Sequence, residues 1–173
     1  MKKGIIIALC SLAVLFAACT KPEPEPEPVD YAPNYVGNYL GQFSLTITSM
    51  NNQPQSNMTF PIANVGMDIT KGVEANTVTA TVTVDNESHQ TTGTTTEEKV
   101  DFGSIPINID KPDQNYWFKL NLKMDGSMDI SDTLNITGSF TGNGSASIMG
   151  QEQVFNEVSG TLTGKLGRQI ENL

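Results

Sequence analysis

The side chains that could carry chemistry are few. Among 173 residues there is one histidine, His89, and two cysteines, Cys10 and Cys19, set against 19 Asp+Glu and 10 Lys+Arg. His89 lies in a Thr-rich segment, Asn86 to Glu97, with no cysteine or second histidine beside it. The expectation there is a solvated loop imidazole rather than a metal ligand or general base. The acids in Asp125-Gly126-Ser127-Met128-Asp129-Ile130-Ser131-Asp132 invite a calcium reading. A calcium loop needs acids at positions 1, 3 and 5, glycine at 6 and a distal glutamate, and this spacing fails. Glu97, Glu98 and Asp101 could pair for acid–base work, although a polar strand edge accounts for them as well. The sequence holds no G-x-S-x-G, no phosphate-cradling glycine loop and no metal-ligand spacing. A chain without catalytic residues, metal or cofactor is expected. At a formal net charge of −9 it has no basic surface for nucleic acid.

Cys19 is the exception, because of what precedes it. Lys2 and Lys3 open an apolar run from Gly4 to Ala18, which has the make-up of a secretory signal and is shorter than the ~20 residues of a spanning helix. The run ends in Leu15-Phe16-Ala17-Ala18-Cys19. This resembles the bacterial lipobox, with Phe16 where leucine is usual. The resemblance implies removal of residues 1–18, a diacylglyceryl group on Cys19 and anchoring in a membrane. The alternative is ordinary signal-peptidase cleavage just after Cys19. If the lipobox is used, Cys10 leaves with the signal and Cys19 becomes a thioether, so the mature chain has no free thiol. Thr20, at the place where aspartate would matter, resembles lipoproteins sent to the outer membrane; which of its faces the chain occupies is left open. Lys21-Pro22-Glu23-Pro24-Glu25-Pro26-Glu27-Pro28 follows. Alternating proline fixes φ and removes amide donors, giving a stiff tether. The tether is taken as residues 19–34, and from Lys21 to about Asn34 it would reach about 40 Å at the rise of such a helix.

From Tyr35 the period is two. Tyr39, Gly41, Phe43, Leu45 and Ile47 share one parity, and Val78, Ala80, Val82 and Val84 another strand's, as half-buried strands require. Phe60 and Ile62 are out of step with Val65, Met67 and Ile69, which predicts a bulge near Ala63-Asn64. Val100 and Phe102 are likewise out of step with Ile105, Ile107 and Ile109, and Pro106 is expected at an edge or bulge. Tyr116, Phe118, Leu120, Leu122 and Met124 alternate up to Asp125-Gly126, read as a two-residue hairpin with Met128 on the returning side. Leu134, Ile136, Gly138 and Phe140 form a strand ended by Gly142-Asn143-Gly144, and Val158, Gly160, Leu162, Gly164 and Leu166 close the chain. Met50 to Asn57 reads as a polar turn. The inward lining is then Phe43, Leu45, Met67, Val82, Phe118, Leu120, Met124, Met128, Phe140 and Leu162. Trp117 falls on the outer parity as a surface contact.

The predicted fold is all-β, an antiparallel up-and-down barrel of about eight strands over residues 35–173, with a β-sandwich as the alternative. What favours the barrel is glycine on the inward parity at Gly41, Gly138, Gly160 and Gly164. Such glycines permit a sharp bend or make room for a large side chain opposite. The opening Tyr35-Val36-Gly37-Asn38-Tyr39-Leu40-Gly41 and the closing Ser159-Gly160-Thr161-Leu162-Thr163-Gly164 resemble the calycin-like β-barrel lipoproteins of Bacteroidota. The resemblance implies an envelope lipoprotein without a catalytic signature, and the inward aliphatic and methionine face of a closed barrel adds the expectation of a small apolar or amphipathic ligand inside it. The alternative is a structural or interaction lipoprotein that acts through its outer surface on a protein or glycan partner.

Overall fold

A computed structural model describes residues 27–129, 131–148 and 150–169. Among these residues eight strands follow one another: β1 (Gly37–Met50), β2 (Gln53–Lys71), β3 (Thr77–Val84), β4 (Glu87–Thr95), β5 (Val100–Lys111), β6 (Tyr116–Met128), β7 (Thr133–Ile148) and β8 (Gln151–Arg168). Each pairs antiparallel with the next, and β8 returns to β1, so the sheet is a closed up-and-down barrel and has no free edge at its ends. Closure, rather than a sandwich, follows from the close approach that the inward glycines permit. A Cβ on Gly41, Gly138 or Gly160 would lie 2.0 to 2.1 Å from the carbonyl oxygen of Lys165, Lys123 or Thr46 across the ladder. Only glycine lets the strands bend that far.

The two predicted parity slips are bulges. Between the Gly41–Val65 and Phe43–Ile62 pairs, Gln42 faces both Ala63 and Asn64, and Asn64 takes φ 57°. The second slip falls between Phe102 and Ile105. Pro106 follows it, where the ladder to β4 has lapsed: β4 and β5 pair only at Gly93–Phe102, Thr94–Asp101 and Thr95–Val100. A residue without an N–H is tolerated in such a place.

Four local expectations are corrected. Asp125-Gly126 is not a hairpin, because β6 runs through it to Met128. A Cβ on Gly126 would come within 3.0 to 3.2 Å of Leu134, Val100 and Phe102, so this glycine serves packing. The turn lies instead at Asp129 to Asp132. There the Asp129 carboxylate accepts from the Ser131 N–H at 2.8 Å, the Ser131 hydroxyl at 2.6 Å and the Thr133 N–H at 3.1 Å. These donors hold the Asp129 pKa down to about 2. The Asn86 to Glu97 segment is strand β4, not a loop. Its turn is Asp85-Asn86, with φ 50° and 67°, the left-handed pair that a two-residue hairpin demands. Met50 to Asn57 likewise contracts to Asn51-Asn52, φ 49° and 60°, before β2 begins. Finally, Gly142-Asn143-Gly144 does not end a strand. It lies opposite a bulge in β8, whose Asn156 and Glu157 N–H groups donate to Asn51 Oδ1 at 2.8 and 3.3 Å.

One end of the barrel is plugged by a strap. Val29 to Asn34, expected within the tether, is docked on the barrel, and Ala32 and Tyr35 are fully buried. Tyr39 Oη donates to the Tyr35 carbonyl at 2.8 Å and accepts from Arg168 Nη2 at 2.8 Å and Nε at 3.1 Å. The same guanidinium donates to the Asn34 carbonyl at 2.7 Å and lies 5.4 Å from the Tyr39 ring centroid. First strand, last strand and strap are thus tied at one phenol. Asp30 completes the strap. It pairs with Lys71 at 2.5 Å and accepts the N–H groups of Asn76 at 2.9 Å and Ala32 at 3.1 Å.

Lys71 above all, then the Asn76 N–H, lowers the Asp30 pKa from 3.8 to about 2. A folded pKa below the unfolded one means stability that is complete above 3.8 and is lost as the pH falls through about 2. Melting curves of Asp30→Asn should therefore lie below those of the unaltered chain at neutral pH and converge with them by about pH 2. A gap of constant size would contradict the assignment.

Candidate functional site

The barrel brings all ten expected lining residues onto its inner side. Phe43, Leu45, Met67, Val82, Phe118, Leu120, Met124, Phe140 and Leu162 are between 0 and 4 % exposed, and Met128 is partly buried against the same core. Space left by the glycines is taken by rings. A Cβ on Gly164 would strike the Phe43 ring at 2.5 Å, one on Gly160 the Phe140 ring at 2.6 Å, and one on Gly144 the Phe118 ring at 2.3 Å. Towards the end away from the strap, Phe60 meets Tyr116 and Phe118 edge-on at 5.2 Å, and Phe155 stacks on Phe118 at 6.4 Å. Any interior ligand would displace side chains whose burial is worth ~1.5–3 kcal/mol each.

At that same end the inner wall turns polar. Lys111 continues the inward parity of Ile105, Ile107 and Ile109 and pairs with Asp85 on the β3–β4 turn; both side chains are about three-quarters buried. The Asp85 carboxylate raises the Lys111 pKa. Tyr116, the register partner of Lys111, is 6 % exposed, and burial pushes its phenol pKa up. His89, on the inward parity of β4, has Nε2 3.7 Å from Glu87 Oε2, which accepts from Asn108 Nδ2 at 3.1 Å. These contacts bridge the stretch where β4 and β5 have no ladder. Asp85 Oδ2, His89 Nε2 and Tyr116 Oη are buried without a protein hydrogen-bond partner, and buried polar atoms of that kind ask for one. The sequence reading missed this cluster. Its one legible signal was a lysine in step with three inward isoleucines.

The other acids are not drawn into a site. Glu97, Glu98 and Asp101 are exposed, and Asp101 stands opposite Asp125, which pairs with Lys99 at 3.6 Å. Among the described residues no group of three His, Cys, Asp or Glu side chains is arranged to hold a metal ion. Cys19 and the signal lie outside the described residues.

Clefts open on the outer wall. One of about 580 Å³ runs over β3, β4 and β5 near Gly72 and Gly93. Another, of about 630 Å³, lies against Trp117 and is bounded by Asp110, Asn115, Ser145, Ser147 and Glu152. Trp117 is on the outer face as expected, 37 % exposed. Ser145 beside it is nearly buried and its Oγ donates to Glu152 Oε1 at 3.2 Å.

No family model matches the chain, and no curated protein matches it. Among solved structures, a multidomain protein including DUF1735 from Bacteroides ovatus is similar at 13 % identity and a TM-score of 0.29, over 77 % of this chain and 48 % of that one. The chain spans about half the length of that protein. At this score the likeness adds nothing to the barrel, which rests on its ladders.

The largely buried ion pair gives a test of the polar rim. Asp85→Asn leaves the Lys111 ammonium without its counter-charge, so melting temperature at neutral pH should fall by several degrees. Adding Lys111→Met should recover most of the loss, because the uncompensated charge is gone. Equal, additive losses would mean that the two groups act separately.

Proposed function

We propose that the mature chain is a non-enzymatic envelope lipoprotein of the calycin-like barrel kind, anchored through Cys19 to the outer membrane, that acts through its outer wall on a protein or glycan partner. The observation that carries this reading is the filling of the interior. The apolar core residues pack against one another at 0 to 7 % exposure, with Phe60 and Met128 partly buried against them, whereas clefts and an exposed indole lie outside. A barrel whose inside is committed to its own stability has its outer surface left for recognition. The strap supports the same reading: by docking Val29 to Asn34 on the barrel it fixes where the chain that leads back to Cys19 joins the domain.

The unpartnered Asp85 Oδ2, His89 Nε2 and Tyr116 Oη favour a second reading, in which an amphipathic ligand sets its polar group at this rim and its tail among Phe60, Phe118 and Phe155. Native mass spectrometry of protein purified from its own host separates the two. The outer-wall reading expects the bare lipidated mass, and a stoichiometric extra small molecule would support the interior one.

Anchoring has its own test. Cys19→Ala should abolish acylation and shift the protein from the membrane to the soluble fraction, or leave unprocessed precursor. Unchanged fractionation without precursor would refute the anchor.

A further inference from the structure

We infer that the cleft at Trp117 is a binding site for a neutral carbohydrate chain. This rests on the outer-wall reading above and names the ligand class of that surface.

The cleft is built by register. Asp110 of β5, Trp117 of β6, Ser145 of β7 and Val154 of β8 stand opposite one another in a single outer row across four paired strands. Ser147 faces Glu152 in the neighbouring row, and Asn115 closes the end of the cleft from the β5–β6 turn, held in place by its carbonyl accepting the Ser147 N–H at 2.9 Å. The indole itself is therefore fixed on paired strands rather than on a loop. Its volume, about 630 Å³, lies within the ~300–1,000 Å³ of small-ligand sites.

The lining decides the chemistry. An exposed indole offers an apolar face for stacking. Around it stand two carboxylates, Asp110 and Glu152, which only accept hydrogen bonds, and three neutral groups, Asn115, Ser145 and Ser147, of which the side chains both donate and accept. Ser145 is 4 % exposed and spends its hydroxyl on Glu152 Oε1 at 3.2 Å, which sets that carboxylate beside the cleft. A ligand that fits must bring an apolar face together with many donors, and it cannot be anionic. A pyranose meets these terms: its axial C–H bonds form an apolar face, and its equatorial hydroxyls ring that face with donors and acceptors. A cationic side chain would satisfy the carboxylates and the indole. It would leave the Asn115 amide and the Ser147 hydroxyl without use, and Lys119 stands one row away on the same outer face.

Trp117 is the single tryptophan of the chain, so its fluorescence reports this cleft alone. The full mature chain is titrated with soluble hexasaccharides of β-glucan, α-glucan, mannan, xylan and galactan, and separately with a lysine-rich peptide. The expected result is saturable binding of at least one neutral hexasaccharide with a change in Trp117 emission, insensitive to salt. By calorimetry, Trp117→Ala should weaken that binding tenfold or more, Trp117→Phe should retain part of it, and Glu152→Gln should weaken it with the tryptophan in place. All three variants change outer-wall side chains and should melt close to the unaltered chain, which checks that binding, not folding, is lost. Failure of every hexasaccharide would overturn the carbohydrate assignment. If the peptide then binds with strong salt dependence, the outer-wall reading stands with a different ligand. If neither binds and a small molecule co-purifies inside the barrel, the outer-wall reading falls as well.

Discussion

The structure depends on how tightly its wall is bent. At Gly41, Gly138, Gly142 and Gly160, a single added carbon would lie 2.0 to 2.1 Å from a carbonyl oxygen of the adjacent strand. Those contacts are possible only without a side chain, and they let eight short antiparallel strands close. Closure at this curvature leaves a narrow inside. Phe43, Phe118 and Phe140 lie where glycine side chains would have stood, and the aliphatic residues between them are buried. The same constraint that removes the sheet edges commits the interior to packing, so the features with spare binding capacity are found outside and at one rim.

The two ends of the barrel are treated differently. The strap end is closed by backbone and charge: Ala32 and Tyr35 fill it, Arg168 binds Tyr39 and the strap together, and Asp30 fastens it to Lys71 and Asn76. The far end is held across the β4–β5 gap by side chains, Lys111 to Asp85 and Asn108 to Glu87. Side-chain bridges are individually weaker than a ladder and depend on charge, so the wall is least uniform there. The same gap gathers the only histidine and the buried unpartnered phenol of Tyr116.

Much of this was legible in the order of residues, and the failures have physical causes. Strict alternation in β1, β3 and β6 marked inward and outward faces and placed Trp117 outside, and slips of parity in β2 and β5 exposed two of the bulges. Glycine misled in two places. Asp125-Gly126 and Gly142-Asn143-Gly144 carry the composition of turns, yet their glycines answer to packing against Leu134 and to a close backbone approach. β4 was hidden for a different reason. Its inward residues are His89, Thr91, Gly93 and Thr95, so no apolar period distinguishes it from a loop. The strap was hidden because Ala32 and Tyr35 precede any repeating pattern. The Asp85–Lys111–Tyr116 cluster joins two turns distant in sequence, which no local window can bring together.

The central claim is that this barrel recognises its ligand with its outer wall while its interior serves as a packed core. Methyl and indole resonances separate the two directly, since Met67 and Met124 are buried inside and Trp117 is the lone indole outside. NMR spectra of the mature chain recorded with a neutral hexasaccharide and then with a medium-chain fatty acid make the measurement. The account predicts that the sugar moves the Trp117 indole signal and that neither compound moves the methyl signals of Met67 and Met124. Movement of those methyl signals by the fatty acid, with the indole unchanged by the sugar, would contradict it.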